Sequence, residues 1–304
     1  IATSGEDPSV NLFREYLRLR TVHPEPDYDA ALRFLDRIAE ELGLPMKKIE
    51  VCPGRVVSIM TWQGTNPALK SILLNSHTDV VPVYQEHWKY DAFAAVKDAE
   101  GNIYARGTQD MKCVTIQYIQ AIRRLKAEGR ECMRTIHLMF VPDEEVGGHK
   151  GMETFVKLPE FQKLNIGFAL DEGKLTKNLT EFEEQIKKWC KEAGEGITYE
   201  FAQKHMNQNL TSTDDSDPWW KTFSTTCKAM NMTLEKEIFP AATDSRFIRA
   251  VGLPAIGFSP MNRTPILLHD HNEYLNEQVF LKGIQVYENL VPALANVPAL
   301  PCDT

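Results

Sequence analysis

No run of apolar residues in this chain is long enough to cross a membrane, no leader with an apolar core opens it, and no CxxC pair occurs among its six cysteines. The first absence argues against a membrane-spanning helix and the second against export. Cys52, Cys113, Cys132, Cys190, Cys227 and Cys302 are scattered, a pattern that suits reduced thiols in the cytoplasm better than a secreted, disulfide-stapled fold. Four Asn-x-Thr sequons, beginning at Asn178, Asn209, Asn231 and Asn262, are accordingly read as coincidence. Basic residues are also in deficit, with 34 Lys and Arg against 42 Asp and Glu and a net charge of −8. Nucleic acid or an anionic membrane would require a basic face, so neither is expected as a partner. Internal repeats and low-complexity tracts are missing, which excludes arrays.

What is present is 43% hydrophobic and 25% charged residues over 304 positions, ordinary for a globular fold, large for one core and small for two full domains. Apolar positions at helical spacing predict helices over residues 8–20 and 27–42, the second closed by Gly43. Residues 56–62 alternate as a strand does, and 71–76, 135–141 and 165–170 are short apolar runs that read as buried strands. The stripe Val114, Tyr118, Ile122, Leu125 predicts a helix that starts just after Asp110. Further on, a charged amphipathic helix is expected over 181–192, strands over 197–201, 234–239 and 254–258, and a last helix over 276–290. Asp217-Pro218 opens another helix as N-cap and first residue, with Trp220, Phe223 and Cys227 on its core face.

Chemistry gathers where the apolar strands stop. The run 135–141 ends in Pro142-Asp143-Glu144-Glu145-Val146-Gly147-Gly148, three consecutive acids closed by a glycine turn. On extended backbone Glu144 and Glu145 would face opposite ways, so that one could ligate a metal while the other faced the water being activated. The run 71–76 ends in His77-Thr78-Asp79, an imidazole with a carboxylate two residues on, and 165–170 ends in Asp171-Glu172-Gly173. Each has an ordinary alternative: a solvated acidic turn, a core histidine, a helix cap for Asp110. Three strands releasing such groups at their C-terminal ends are less easily dismissed, because that edge of an open α/β sheet is where ligands bind. With His269, the set offers two imidazoles and several carboxylates, donors that suit a pair of zinc ions.

The stretches SILLNSHTDVVP (71–82), YARGTQDMKC (104–113), FVPDEEVGGHKGM (140–152), FALDEG (168–173), PAATDSRFIRAVG (240–252) and GFSPMNRTPILLHDHNE (257–273) resemble the M20 family of zinc peptidases and amidohydrolases, and within it the branch acting on N-acyl amino acids. The resemblance implies a three-layer α/β zinc-peptidase-like catalytic domain with a central mixed, largely parallel sheet flanked by helices. It implies two zinc ions, with His77, Asp110, Glu145, Glu172 and His269 as metal ligands and Asp110 as the bridge. His269 is preferred over His271 because the family's ligand precedes a glutamate by four positions, here Glu273. Asp79 would be the partner of His77, and Glu144 the general base of hydrolysis of a small-molecule N-acyl-L-amino acid. Thr243, Asp244 and Arg246, with the turn at 257–259, would form the substrate pocket; Arg246 would either grip the substrate carboxylate or make a surface ion pair. A cis peptide after Asp110 is a further family feature.

One departure stands out. Such relatives carry a satellite domain that makes the dimer and supplies groups to a neighbouring active site. Here residues 174–180 take its place, which leaves one catalytic domain built from 1–173 and 181–304. An impaired, monomeric zinc-binding chain is the expectation. The alternatives are a single-domain zinc aminopeptidase or a non-catalytic zinc-binding module.

Overall fold

The computed structural model describes residues 5–172, 179–194, 196–200, 209–234 and 243–303. The linker at 174–178 and the strand expected over 235–239 lie outside the described residues, as does Phe201.

Helices α1 (Pro8–Leu17) and α2 (Tyr28–Leu42) are set by their caps. Asp7 accepts from the Ser9 amide and Asp27 from the Ala30 amide, and Gly43 closes α2 at φ 61° in the left-handed region that glycine enters without penalty. The chain then forms β1 (Met46–Cys52), β2 (Arg55–Trp62) and β3 (Ser71–His77), and the short β4 (Val96–Lys97) and β5 (Asn102–Tyr104). Next come α3 (Lys112–Ala127), β6 (Ile136–Val141), the one-turn helices α4 (Met152–Phe155) and α5 (Pro159–Gln162), and β7 (Ile166–Asp171). The C-terminal part contributes α6 (Leu179–Ala193), α7 (Pro218–Ala229), α8 (Ser245–Ala250), β8 (Ala255–Gly257), β9 (Tyr274–Asn276) and α9 (Glu277–Ala295). Residues 197–200, expected as a strand, have no regular structure. The last helix overruns its expected end by five residues, through Pro292.

The main sheet has the order β1-β2-β6-β3-β7-β8. Strands β6, β3, β7 and β8 run parallel, while β1 and β2 add to the β6 edge antiparallel. Alternation along each strand sorts the core into two layers. Ile72, Leu74, Leu138, Phe140, Phe168 and Leu170 pack against α1, α2, α3, α7 and α9. Their neighbours Leu73, Met139, Val141 and Ala169 pack with Phe155, Phe161, Phe247 and Ile248 from the α4, α5 and α8 side. Strands buried on both faces read as continuous apolar runs, which is why the central ones are legible in the sequence. The result is three layers, helices on both faces of a mixed sheet.

A second, antiparallel sheet of β4, β5 and β9 was not foreseen; its strands are two or three residues long. Its pairing of Ile103 with Leu275 holds the chain before Asp110 against the chain after His269.

Candidate metal centre

Strands β3, β6 and β7 lie side by side in the sheet and stop at one edge. His77 is the last residue of β3, and the Asp143–Gly148 turn follows β6. On β7 alternation separates two neighbouring acids. Asp171 accepts from Asn75 Nδ2 (2.9 Å) and from the amide and hydroxyl of Ser245 (both 2.8 Å), which anchors the start of α8. Glu172 faces the other way, and its Oε1 lies 3.1 Å from His77 Nε2.

Asp110 joins two clusters. Its Oδ1 is 3.0 Å from His77 Nε2, and its Oδ2 is 3.1 Å from His269 Nε2, which in turn lies 3.0 Å from Glu145 Oε2. Donor atoms of His77, Asp110 and Glu172, and likewise of Asp110, Glu145 and His269, lie within 4.8 Å of one another. The sequence reading therefore grouped the residues that the fold brings together. His271 stands apart, its ring 4.8 Å from that of His87.

The donor set fits a cation at each cluster. His77 Nδ1 donates to the Asp79 carbonyl (2.9 Å), which leaves Nε2 as the nitrogen facing the carboxylates, the one open to a metal once its proton is displaced. Charge balance says the same. Burial opposes charge on His77, yet Glu172, Asp110 and Asp79 outweigh it and hold its pKa well above the ordinary value. Hydrogen bonds to Asp110 and Glu145 raise His269 to about 10. Burial, with Asp110 close by, pushes Glu172 and Glu145 upward. Burial likewise drives Glu144 well up, reinforced by Asp244 and Glu145. More carboxylates than imidazoles share this volume, a crowding that bound dications would relieve.

One expectation needs correction and another is extended. Glu144 and Glu145 do not lie on extended backbone: Asp143 adopts φ 62°, and Glu144–Val146 is a 3-10 turn closed by Gly147. The two carboxylates still separate, with Glu145 toward His269 and Glu144 Oε2 3.9 Å from His77 Nε2. The Asp79 carboxylate, whose Oδ1 lies 3.5 Å from His77 Nδ1, has further partners beyond the ring the resemblance gave it. It also accepts from the amides of Glu144 (3.2 Å) and Glu145 (3.0 Å) and faces His23 Nε2 at 2.8 Å. Although burial opposes ionisation, His23 and His77 hold Asp79 down at about 2.

Several contributors escaped the sequence reading. Glu273, used there only as a spacing marker, is fully buried and accepts from the Gly107 and Gln109 amides and from Arg106 Nη1, which braces the segment leading into Asp110. Tyr28 and Arg55 each bond the Asp143 carboxylate at 2.6 Å. The peptide Asp110–Met111 is cis, as the resemblance implied.

The pocket residues are placed unevenly. Arg246 Nη2 donates to the Gly147 carbonyl (2.7 Å), its guanidinium lies 4.6 Å from the Phe247 ring centre, and the surface ion pair held open for it has no partner among the described residues. Asp244 is 1% exposed with both carboxylate oxygens unpartnered, and burial followed by Asp171 raises its pKa well above the ordinary value. Thr243 is buried, and its carbonyl accepts from the Arg246 amide. Phe258, assigned to the pocket turn, instead packs edge-on against Phe223 and Tyr287 in the core.

The chain is 51% identical to mouse aminoacylase-1 over 398 aligned residues, 98% of each chain. That alignment set against 304 residues leaves at least 94 positions of the relative without a counterpart here. Among solved structures it resembles an M20 family metallo-carboxypeptidase from Sulfolobus solfataricus (TM-score 0.74, 15% identity, 95% of this chain and 100% of that one). It also resembles a dinuclear metal-binding peptidase of the M20 family from Bacillus subtilis (TM-score 0.64, 12% identity, 95% and 98%). The sequence profile of peptidase family M20/M25/M40 matches residues 73–293, a span that takes in every member of both clusters. With the fold, the paired clusters and a relative at half identity agreeing, the chain belongs to peptidase family M20/M25/M40.

Proposed function

We propose that this chain is the core of a zinc-dependent amidohydrolase that cleaves N-acyl-L-amino acids to a carboxylate and a free L-amino acid. The observation that carries the reading is Asp110, one carboxylate with an oxygen in each of two ligand clusters, beside the buried Glu144. His77, Asp110 and Glu172 would hold one ion and Asp110, Glu145 and His269 the other, with Asp110 as the bridge. Ions bound there supply Lewis acidity to an amide carbonyl and acidify water.

Glu144 takes the proton released as water attacks the amide carbon and returns it to the departing nitrogen. A carboxyl driven upward by burial suits that shuttle, because it holds a proton more readily than an exposed glutamate does. Asp79 sets the turn that presents Glu144. Thr243, Asp244 and Arg246 line the substrate side, and Arg246, tied to Gly147 by one nitrogen, orients the substrate carboxylate. The name and identity of the mouse relative support the N-acyl-amino-acid substrate.

The unmatched positions of that relative are assigned to the junction at 174–180, because β7 before it and β8 after it pair directly in one sheet. Residues 1–173 and 181–304 then form one catalytic domain. Groups brought to the site by the missing block are absent, and losing one oxyanion donor costs about a hundred- to a thousandfold in turnover. A monomer of 34.6 kDa follows from the loss of the dimer-forming part. Six free cysteines support a reducing, cytoplasmic setting, and no helix among the described residues is long and apolar enough to cross a membrane.

The test is turnover of an N-acetyl-L-amino acid by the zinc-loaded chain, its Glu144→Ala variant and the mouse relative. A slow but measurable rate that vanishes in Glu144→Ala, with zinc content unchanged, is expected. A rate unaffected by Glu144→Ala would refute the assignment, and a rate equal to the relative's would refute the impairment.

A further inference from the structure

We infer that His23 is a positioning residue for the metal centre, acting through Asp79 on the turn that carries Glu144 and Glu145. The inference rests on the reading of the two clusters as zinc sites.

Asp79 is fully buried, and its Oδ1 also lies 3.5 Å from His77 Nδ1. Oδ1 accepts from the Glu144 amide at 3.2 Å, and Oδ2 accepts from the Glu145 amide at 3.0 Å and from His23 Nε2 at 2.8 Å. The two amides belong to the turn whose position they share with the carboxylate, so neither fixes it independently. His23 does: it sits after α1, on a different part of the chain, and its backbone is secured beside β3's extension. Val22 bridges Val80, and the His23 amide donates to the Val80 carbonyl (3.2 Å). The imidazole thus holds one oxygen of Asp79 from a fixed point, and the carboxylate's orientation follows. Tyr28 and Arg55 grip the Asp143 carboxylate from the other side. The start of the turn is therefore held through Asp143, Glu144 and Glu145, with His23, Tyr28 and Arg55 standing outside both clusters, the arrangement by which outer groups keep metal ligands oriented.

The donor is what matters in this account of His23, rather than ring volume or charge, and three substitutions separate these. His23→Gln places an amide nitrogen three bonds from Cβ, as Nε2 is. His23→Asn places it one bond short, and His23→Leu fills space with no donor. Affinity for zinc alone is measured by competition with a chromogenic chelator, with circular dichroism confirming the fold. Loss of about 10- to 100-fold is expected for His23→Leu and His23→Asn, with His23→Gln within about threefold of the parent, in line with the usual cost of removing such outer groups. If His23→Leu does not fold, His23→Asn carries the same expectation. Double variants that join Asp79→Asn to His23→Leu or His23→Asn are expected to bind zinc no more weakly than Asp79→Asn alone, and additive losses overturn the inference. Equal affinity in all variants overturns the inference while leaving the zinc sites intact. A His23→Gln variant as weak as His23→Leu also overturns it, since the donor would then be irrelevant. A parent that binds no zinc removes the underlying reading and this inference together.

Discussion

His77 and His137 sit on neighbouring strands, both buried, and their surroundings push them in opposite directions. His77 is ringed by carboxylates and tied to a carbonyl through Nδ1, which leaves Nε2 facing the clustered donors. His137 meets Thr61 Oγ1 through Nδ1 (3.0 Å) and donates to the Leu164 carbonyl through Nε2 (3.1 Å), a neutral imidazole satisfied at both nitrogens. Burial lowers its pKa to about 4. The unfolded chain, with an ordinary value near 6.5, takes up this proton first as pH falls. His137 therefore contributes stability that is fully present above about pH 6.5 and is lost between there and pH 4, on the order of 3 kcal/mol. In His137→Gln, which keeps a donor for Leu164 without titrating, urea unfolding should lose less stability over that interval than in the parent. Parallel decline in the two proteins would contradict this. Their positions in the sequence already differ, His77 ending its strand before a carboxylate while His137 lies inside an apolar run. The sequence could not single out His23, whose partner is 56 residues away and whose neighbours form no motif.

Elements differ in how openly the sequence declares them. Strands β3, β6 and β7, α2 with its aspartate and glycine ends, and α7 behind Asp217-Pro218 all carry signals within their own residues. Strand β1 hides because it is an edge with Lys47, Lys48 and Glu50 exposed or half-buried, as edges must be to avoid pairing with other chains. Strands β4, β5 and β9 are too short for any period to register, and pairing alone defines them. The turn after β6 was found by its acids and glycines, but its geometry was misjudged because Asp143, one of the few non-glycine residue types that enter the left-handed region with any frequency, starts it there and ends the extended backbone. Gly148 is the least replaceable part of this element. It has φ +66°, and an added Cβ would stand 2.8 Å from both Asp244 Oδ1 and Phe247 Cε2. Gly148→Ala is expected to cost about 1–3 kcal/mol in chemical denaturation and to weaken zinc binding, because the strain falls on the turn that carries Glu145. Unchanged stability would show that α8 yields freely and that the packing described here is not restrictive.

Across the molecule, residues from His23 to His269 converge on one edge of one sheet. Parallel neighbours deliver His77, Glu145 and Glu172 to a common rim, and the small second sheet closes the approach by pinning the segments that hold Asp110 and His269. His77, Glu145 and Glu172 were legible because each follows an apolar strand that ends in chemistry, whereas the roles of Asp110 and His269 came with the family resemblance. The β5–β9 pairing of the small sheet, the buried Glu273–Arg106 pair and the clamp on Asp143 were not legible, since each depends on residues more than eighty positions apart. The most direct measurement is anomalous scattering at the zinc edge from crystals of the zinc-loaded chain. Two peaks are expected, one among His77, Asp110 and Glu172 and one among Asp110, Glu145 and His269. A map with no peak beside Asp110, or with zinc only at residues outside these clusters, would contradict the dinuclear centre.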